Sequence, residues 1–189
     1  MELDSVLGGD AALLYMERYA DPQAFVIDEM MIPIAECWAK VVRERGILLE
    51  SHAQNALLEI DENFRPCRVV HRDFDVWMDA EARKQAGLAM RLLDSRIGAD
   101  TPYPSEQHYS LVYDHFIGRE LFDYLLKLLQ RFYGASERVV RQRVAGAFQR
   151  SFPDADAYFP AETTFYFSNE ILPGNDFHLV NTKQSPTWQ

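Results

Sequence analysis

Six consecutive residues, Glu50-Ser51-His52-Ala53-Gln54-Asn55, carry a carboxylate, a hydroxyl, an imidazole and two amides, and Arg72-Asp73 adds a guanidinium and a second carboxylate further on. Between the two groups Ala56-Leu57-Leu58-Glu59-Ile60 reads as a strand, Asp61 to Pro66 has turn composition, and Cys67-Arg68-Val69-Val70-His71 reads as a second strand. An antiparallel hairpin sets its outer ends side by side, because paired strands run about 4.8 Å apart. The spacing predicts that the Asn55 amide oxygen and the Asp73 carboxylate meet at the open end, with His52, Gln54 and Arg72 close by. One or two side-chain oxygens, completed by water and phosphate, suit Mg2+ in a nucleotide site.

Protein kinases use a related logic, with an asparagine and a later aspartate, separated by a short hairpin, holding Mg2+ against ATP. No HRD aspartate precedes Asn55, the chain has no Gly-rich loop or Walker lysine, and Arg72-Asp73-Phe74-Asp75 stands where a kinase has DFG. The wording is more specific than the arrangement. Gly46-Ile47, then Glu50-x-His52-x-Gln54-Asn55, Leu57-Leu58-Glu59 and Arg72-Asp73-Phe74, resembles the NRPS-independent siderophore synthetases of the aerobactin-synthetase type, from about Trp38 to Phe74.

That resemblance implies an α+β, mostly helical fold: the palm-like C-terminal half of a hand-shaped enzyme, with a central hairpin and kinase-like metal ligands. Residues 1–189 would be a single domain whose N-terminal half is absent or supplied by a companion chain. Family members adenylate a carboxylate such as citrate with ATP and condense it with an amine or alcohol. Carried onto this chain, Asn55 and Asp73 would bind Mg2+, with Glu50 holding the loop or assisting the metal. His52 and Gln54 would contact the nucleotide, and Arg72 would orient the acid or pair with phosphate, leaving His52 and Arg72 as the catalytic candidates. The isolated chain is expected to be inactive, and a homodimer is compatible with the reading. The alternatives are a kinase-like phosphotransferase and a non-catalytic binding or assembly module.

The elements that must position these groups are legible in the pattern. Ile27, Met30, Met31, Ile34, Trp38 and Val41 recur near helical spacing, predicting a helix from Asp21 or Pro22 to Arg45 that Gly46 ends and Pro33 kinks or breaks. Further helices are expected over Asp10 to Tyr19, Ala80 to Leu93, Leu111 to Tyr133 and Ser136 to Phe148, with a loop from Ser95 to Glu106. The tail from Ser151, with its prolines and aromatics, is expected to be irregular but packed. Within these elements His71 reads as a strand residue, and Tyr109 and Tyr113, near His108 and His115, as packing groups. Arg138, Arg141, Arg143 and Arg150 read as a solvated face with Glu137–Arg141 pairing, or as an interface with a missing half.

Composition narrows the function classes. The chain has 189 residues, 48% hydrophobic and 25% charged, the balance of a globular domain. A formal net charge of −10 disfavours nucleic acid, and no apolar run approaches the ~20 residues needed to span a bilayer. The start lacks a secretory signal, and the expected location is cytoplasmic. Cys37 and Cys67, the two cysteines present, cannot hold an iron–sulfur cluster, which disfavours an iron–sulfur ferric reductase.

Overall fold

The protein, seen here in a computed structural model, is described over residues 20–62, 65–73, 76–89, 99–100, 105–167 and 178–189. Asp21 opens the first helical stretch: its carboxylate accepts from the Ala24 N–H at 2.9 Å, and Pro22 follows it, where a missing donor costs nothing. Helix α1 (Pro22–Ala24) runs into a π-helical segment (Phe25–Met31) and then α2 (Ile32–Arg45). The Ile32 N–H reaches back five residues to the Ile27 carbonyl. Pro33 therefore does not break the stretch as expected. The wider hydrogen-bond register lies just before it, and the three segments follow one another without a gap. Gly46, in the left-handed region at φ 58°, ends α2 as its composition predicts.

The chain then forms β1 (Ile47–Leu49), β2 (Ala56–Ile60), β3 (Pro66–His71) and β4 (Val76–Met78). Strands β2 and β3 are the expected antiparallel hairpin, with Ala56 opposite His71 and a register shift at Glu59/Ile60. Strand β1 pairs antiparallel with β4, so the hairpin is nested inside a second pairing that draws its neck together. Asp79 caps α3 (Ala80–Gln85), accepting from the Ala82 N–H at 2.8 Å. Helix α3 is shorter than expected; its predicted extension beyond residue 89, the helix predicted for Asp10 to Tyr19, and Phe74 lie outside the described residues. Within the predicted loop, β5 (Ala99–Asp100) pairs parallel with β4.

The second long helical stretch starts earlier than its apolar pattern suggests. It comprises α4 (Ser105–Ser110), a second π segment (Leu111–Phe122) and α5 (Asp123–Tyr133), with the Asp123 N–H again reaching five residues back, to Gly118. Helix α6 (Glu137–Ser151) follows after Gly134. The tail is packed, as expected, but less irregular: a 3-10 turn (Ala155–Ala157) precedes β6 (Phe165–Phe167), which pairs antiparallel with β7 (Leu179–Asn181).

Trp38 on α2 is the hub of the core. It is 1% exposed, lies 5.0 Å ring to ring from Tyr113, and contacts Phe148 of α6 and Phe159 of the tail. Its indole N–H donates to the Leu49 carbonyl at 3.1 Å, so the same residue tethers the helix to β1. A ring of this size buries ~150–250 Å2, worth several kcal/mol at ~25 cal/mol per Å2. Tyr113 stacks on Phe148 at 4.2 Å and is fully buried, and Tyr109 donates to Asp79 at 2.9 Å; both serve packing. No helix among the described residues is long and apolar enough to cross a membrane.

Candidate functional site

The nested strand pairs bring the two sequence motifs together at the hairpin mouth, where the Arg72 N–H donates to the Asn55 carbonyl at 3.0 Å. Each side chain then follows its own local logic. Residues His52 to Asn55 form a tight turn, with the Asn55 and Ala56 N–H groups both donating to the His52 carbonyl, at 2.9 and 3.0 Å. Asn55 is 5% exposed, and its amide nitrogen donates to the Glu50 carbonyl at 3.1 Å and lies 3.1 Å from His52 Nε2. The Gln54 N–H faces His52 Nδ1 at 3.2 Å. A neutral imidazole offers one lone pair, so one of these two donors is satisfied at a time. The Glu50 carboxylate accepts from the Trp77 indole N–H at 2.7 Å, which ties the loop to β4.

The Gln54 side chain within the turn, and Arg72 and Asp73 beyond the hairpin, are exposed. Asp73 sits in the left-handed region at φ 74°, where Asp is better tolerated than most side chains. Its side chain stands on the exposed side of the mouth, whereas that of Asn55 turns into the loop. His71 faces Ser51 at 3.4 Å through Nδ1, while its buried Nε2 has no hydrogen-bond partner. Burial lowers its pKa, the neighbouring His52 lowers it further, and Asp73 opposes both. Among the described residues, no group of three or more His, Cys, Asp or Glu side chains is placed to hold a metal ion.

The second π segment forms the other side of this face. Phe116 packs 5.8 Å from the His52 ring and 5.5 Å from His115, joining the mouth to the helix. His115 Nε2 lies 3.3 Å from Glu120, and that contact, ahead of the nearby positive charges, holds the Glu120 carboxyl below its usual range. Arg119 is exposed and has no ion-pair partner among the described residues. Beyond His115 a cleft of about 250 Å3 runs between this segment, the β6–β7 hairpin and the stretch after β7. Motif reading passed over Arg119, Glu120 and the cleft. The available signal was a run of polar residues, Asp114-His115 and Arg119-Glu120, inside an otherwise apolar helix. Arg141 pairs with Glu137 at 2.8 Å as its spacing predicts, but also with Asp123 at 3.1 Å, which places it against the core as well as on a solvated face.

The class of protein follows from comparison with known families. Residues 27–174 match the family model described as ferric iron reductase FhuF-like transporter. That covers most of the chain, which belongs to this FhuF-like family, in the context of siderophore and iron handling. No curated protein matches the chain.

The match corrects the expected family and function. The chain is not assigned to the siderophore synthetases, and ATP-dependent adenylation of a carboxylate is not its reading. The motif misled for a physical reason: Glu50, His52 and Asn55 are all engaged in building the loop, by bonds to Trp77, to the turn and to each other. Loop-building residues of this kind identify a hairpin neck, not the reaction performed beside it.

The family description raises the question of a resident redox group. An iron–sulfur cluster takes four protein ligands, thiolates or, in one class, two thiolates and two imidazoles. Cys37 is half-buried on α2, where burial raises its thiol pKa, and Cys67 is exposed on β3, its Sγ bonded to the Glu59 carbonyl. These two thiols sit on separate elements without converging imidazoles, and the residues present do not fit a cluster.

Proposed function

We propose that this chain binds ferric iron in its chelated form, over the face where the hairpin mouth meets the second π segment, and that the electron for reduction comes from outside the chain. The observation that carries the reading is the family match over residues 27–174, which includes every side chain of that face. Ferric iron in a siderophore is already ringed by oxygen ligands, so a protein recognises it through hydrogen bonds to those oxygens. Gln54, Arg72, His115 and Arg119 are suited to this role. The poor fit of the cysteines to a cluster supports an external donor such as a reduced flavin. One electron passes from the flavin to Fe3+, giving Fe2+, and the chelate oxygens released take up protons from solvent.

The test is anaerobic: the chain, a ferric chelate, reduced flavin and a colorimetric ferrous trap. Fe2+ release should accelerate and saturate with chelate concentration. Replacing Arg72 and Arg119 together by alanine should weaken chelate binding about tenfold, the loss of one or two hydrogen bonds to charged oxygens. If hydroxamate, catecholate and carboxylate chelates all fail to bind saturably, the reading is wrong.

A further inference from the structure

The stretch after β7 is fastened near its start and near Trp188. The Lys183 and Gln184 N–H groups bond locally, to the side chains of Asn181 and Thr182, and the Thr187 hydroxyl accepts from Arg141 at 2.9 Å. At the near end the Thr182 N–H donates to the Thr164 carbonyl at 2.9 Å, and the two threonine hydroxyls lie 2.7 Å apart. At the far end Trp188 is 2% exposed. Its carbonyl accepts from the Tyr113 hydroxyl at 3.0 Å, and its indole N–H donates to Asp123 at 3.1 Å. Arg141 lies 4.3 Å over the Trp188 ring. Between these points Lys183, Gln184 and Ser185 are exposed, and Gln184 and Ser185 wall the cleft.

Two features make the far fastening a latch. Gly118 leaves a slot for the indole: a Cβ there would stand 2.8 Å from Trp188 Cδ1. Beside it Asp114, 7% exposed, accepts from the Gln189 amide at 2.7 Å and from the Ser110 hydroxyl at 2.7 Å, and the same Ser110 oxygen accepts from the Phe165 N–H at 3.1 Å. One buried carboxyl thus joins the helix, β6 and the end of the strap.

We propose that residues 182–189 are a strap closed over the second π segment, that Asp114 is its latch, and that loss of the Asp114 proton favours release, opening the cleft onto His115 and Arg119. The groups facing Asp114 are Ser110 on α4, which in turn holds the Phe165 N–H of β6, Tyr113 on its own segment and Gln189 of the strap. The cleft adds His115, Arg119, Asp123 at the start of α5 and Arg141 on α6, the last two paired with each other. Burial pushes the Asp114 carboxyl up to about 7, against the pull of the Ser110 and Gln189 hydrogen bonds. The released strap leaves it hydrated, with an ordinary carboxylate pKa. A group whose pKa is raised in the closed form stabilises that form below the open-form value and loses the contribution as pH rises toward 7. The closed strap thus weakens up to about tenfold per pH unit from about 4 to 7, and no further above.

Hydrogen exchange on the full chain tests this, read as protection of the Trp188 and Gln189 backbone amides at the far fastening, after correction for intrinsic pH dependence. From pH 5 to 8 the wild type should lose about 100-fold in protection, while far-UV circular dichroism stays constant. Asp114→Asn should hold a pH-independent value, and Trp188→Ala should read as released throughout. Wild-type protection that does not change with pH, or an Asp114→Asn profile parallel to wild type, overturns the proposal.

Discussion

Asn55 shows how one side chain can read as a metal ligand in sequence and serve as a structural strut in the fold. Its amide is nearly solvent-free and donates to the Glu50 backbone carbonyl. Asn55→Ala removes the donor that the amide supplies to the Glu50 carbonyl and beside His52 Nε2, and empties a buried polar site. Urea unfolding should show a loss of about 1–3 kcal/mol, the usual cost of stranding buried polar groups. A loss near zero would mean that water replaces the amide. Exposed Gln54 or Arg72 changed to alanine should leave stability within about 0.5 kcal/mol, which separates the strut from the residues free to meet a ligand.

At the scale of elements, the junction between α2 and β1 is tightly packed. Gly46 takes a positive φ, and a Cβ there would meet Arg83 Cγ at 2.7 Å and the Asp79 carbonyl at 3.2 Å. Arg83 is 3% exposed and donates to the Arg45 carbonyl, so α3 closes the end of α2. The Asp79 N–H donates in turn to the Gly46 carbonyl at 2.9 Å. Gly46→Ala therefore combines a left-handed backbone penalty with a clash against a buried arginine, and should cost about 2–4 kcal/mol. Thermal unfolding gives the check. The equivalent change at Gly134, also left-handed but with open space around its Cβ position, should cost only the backbone part, about 1–2 kcal/mol.

For the whole molecule the governing quantity is charge. A net charge of −10 repels polyanions at a distance, while Arg72 and Arg119 supply positive charge only locally. If the face binds ferric chelates, neutral or cationic chelates should bind more tightly than trianionic ones at low salt. The gap should narrow as ionic strength approaches ~0.15 M, where the Debye length falls to about 8 Å. Calorimetric titrations at two salt concentrations measure it, and a preference independent of salt would place selectivity in short-range contacts instead.

Much of this fold was readable before any coordinates. The helix ending at Gly46, the β2–β3 hairpin and the Glu137–Arg141 pair follow from local rules: a left-handed stop, alternation bounded by turn residues, and a four-residue spacing. The π register of two long segments was not readable, because apolar recurrence near four residues looks alike whether bonds span four or five positions. The neck of the hairpin shows the same division. Sequence alone determined that Asn55 and Asp73 flank one mouth, since strand pairing dictates which backbones are neighbours. Only the tertiary structure decided what the side chains do there, because Trp77 and the Glu50 carbonyl, brought in by β4 and the loop, compete for the polar groups a ligand would need. The strap over Gly118 belongs wholly to that second kind. Residues 70 or more positions apart meet there through core packing, which no local pattern encodes.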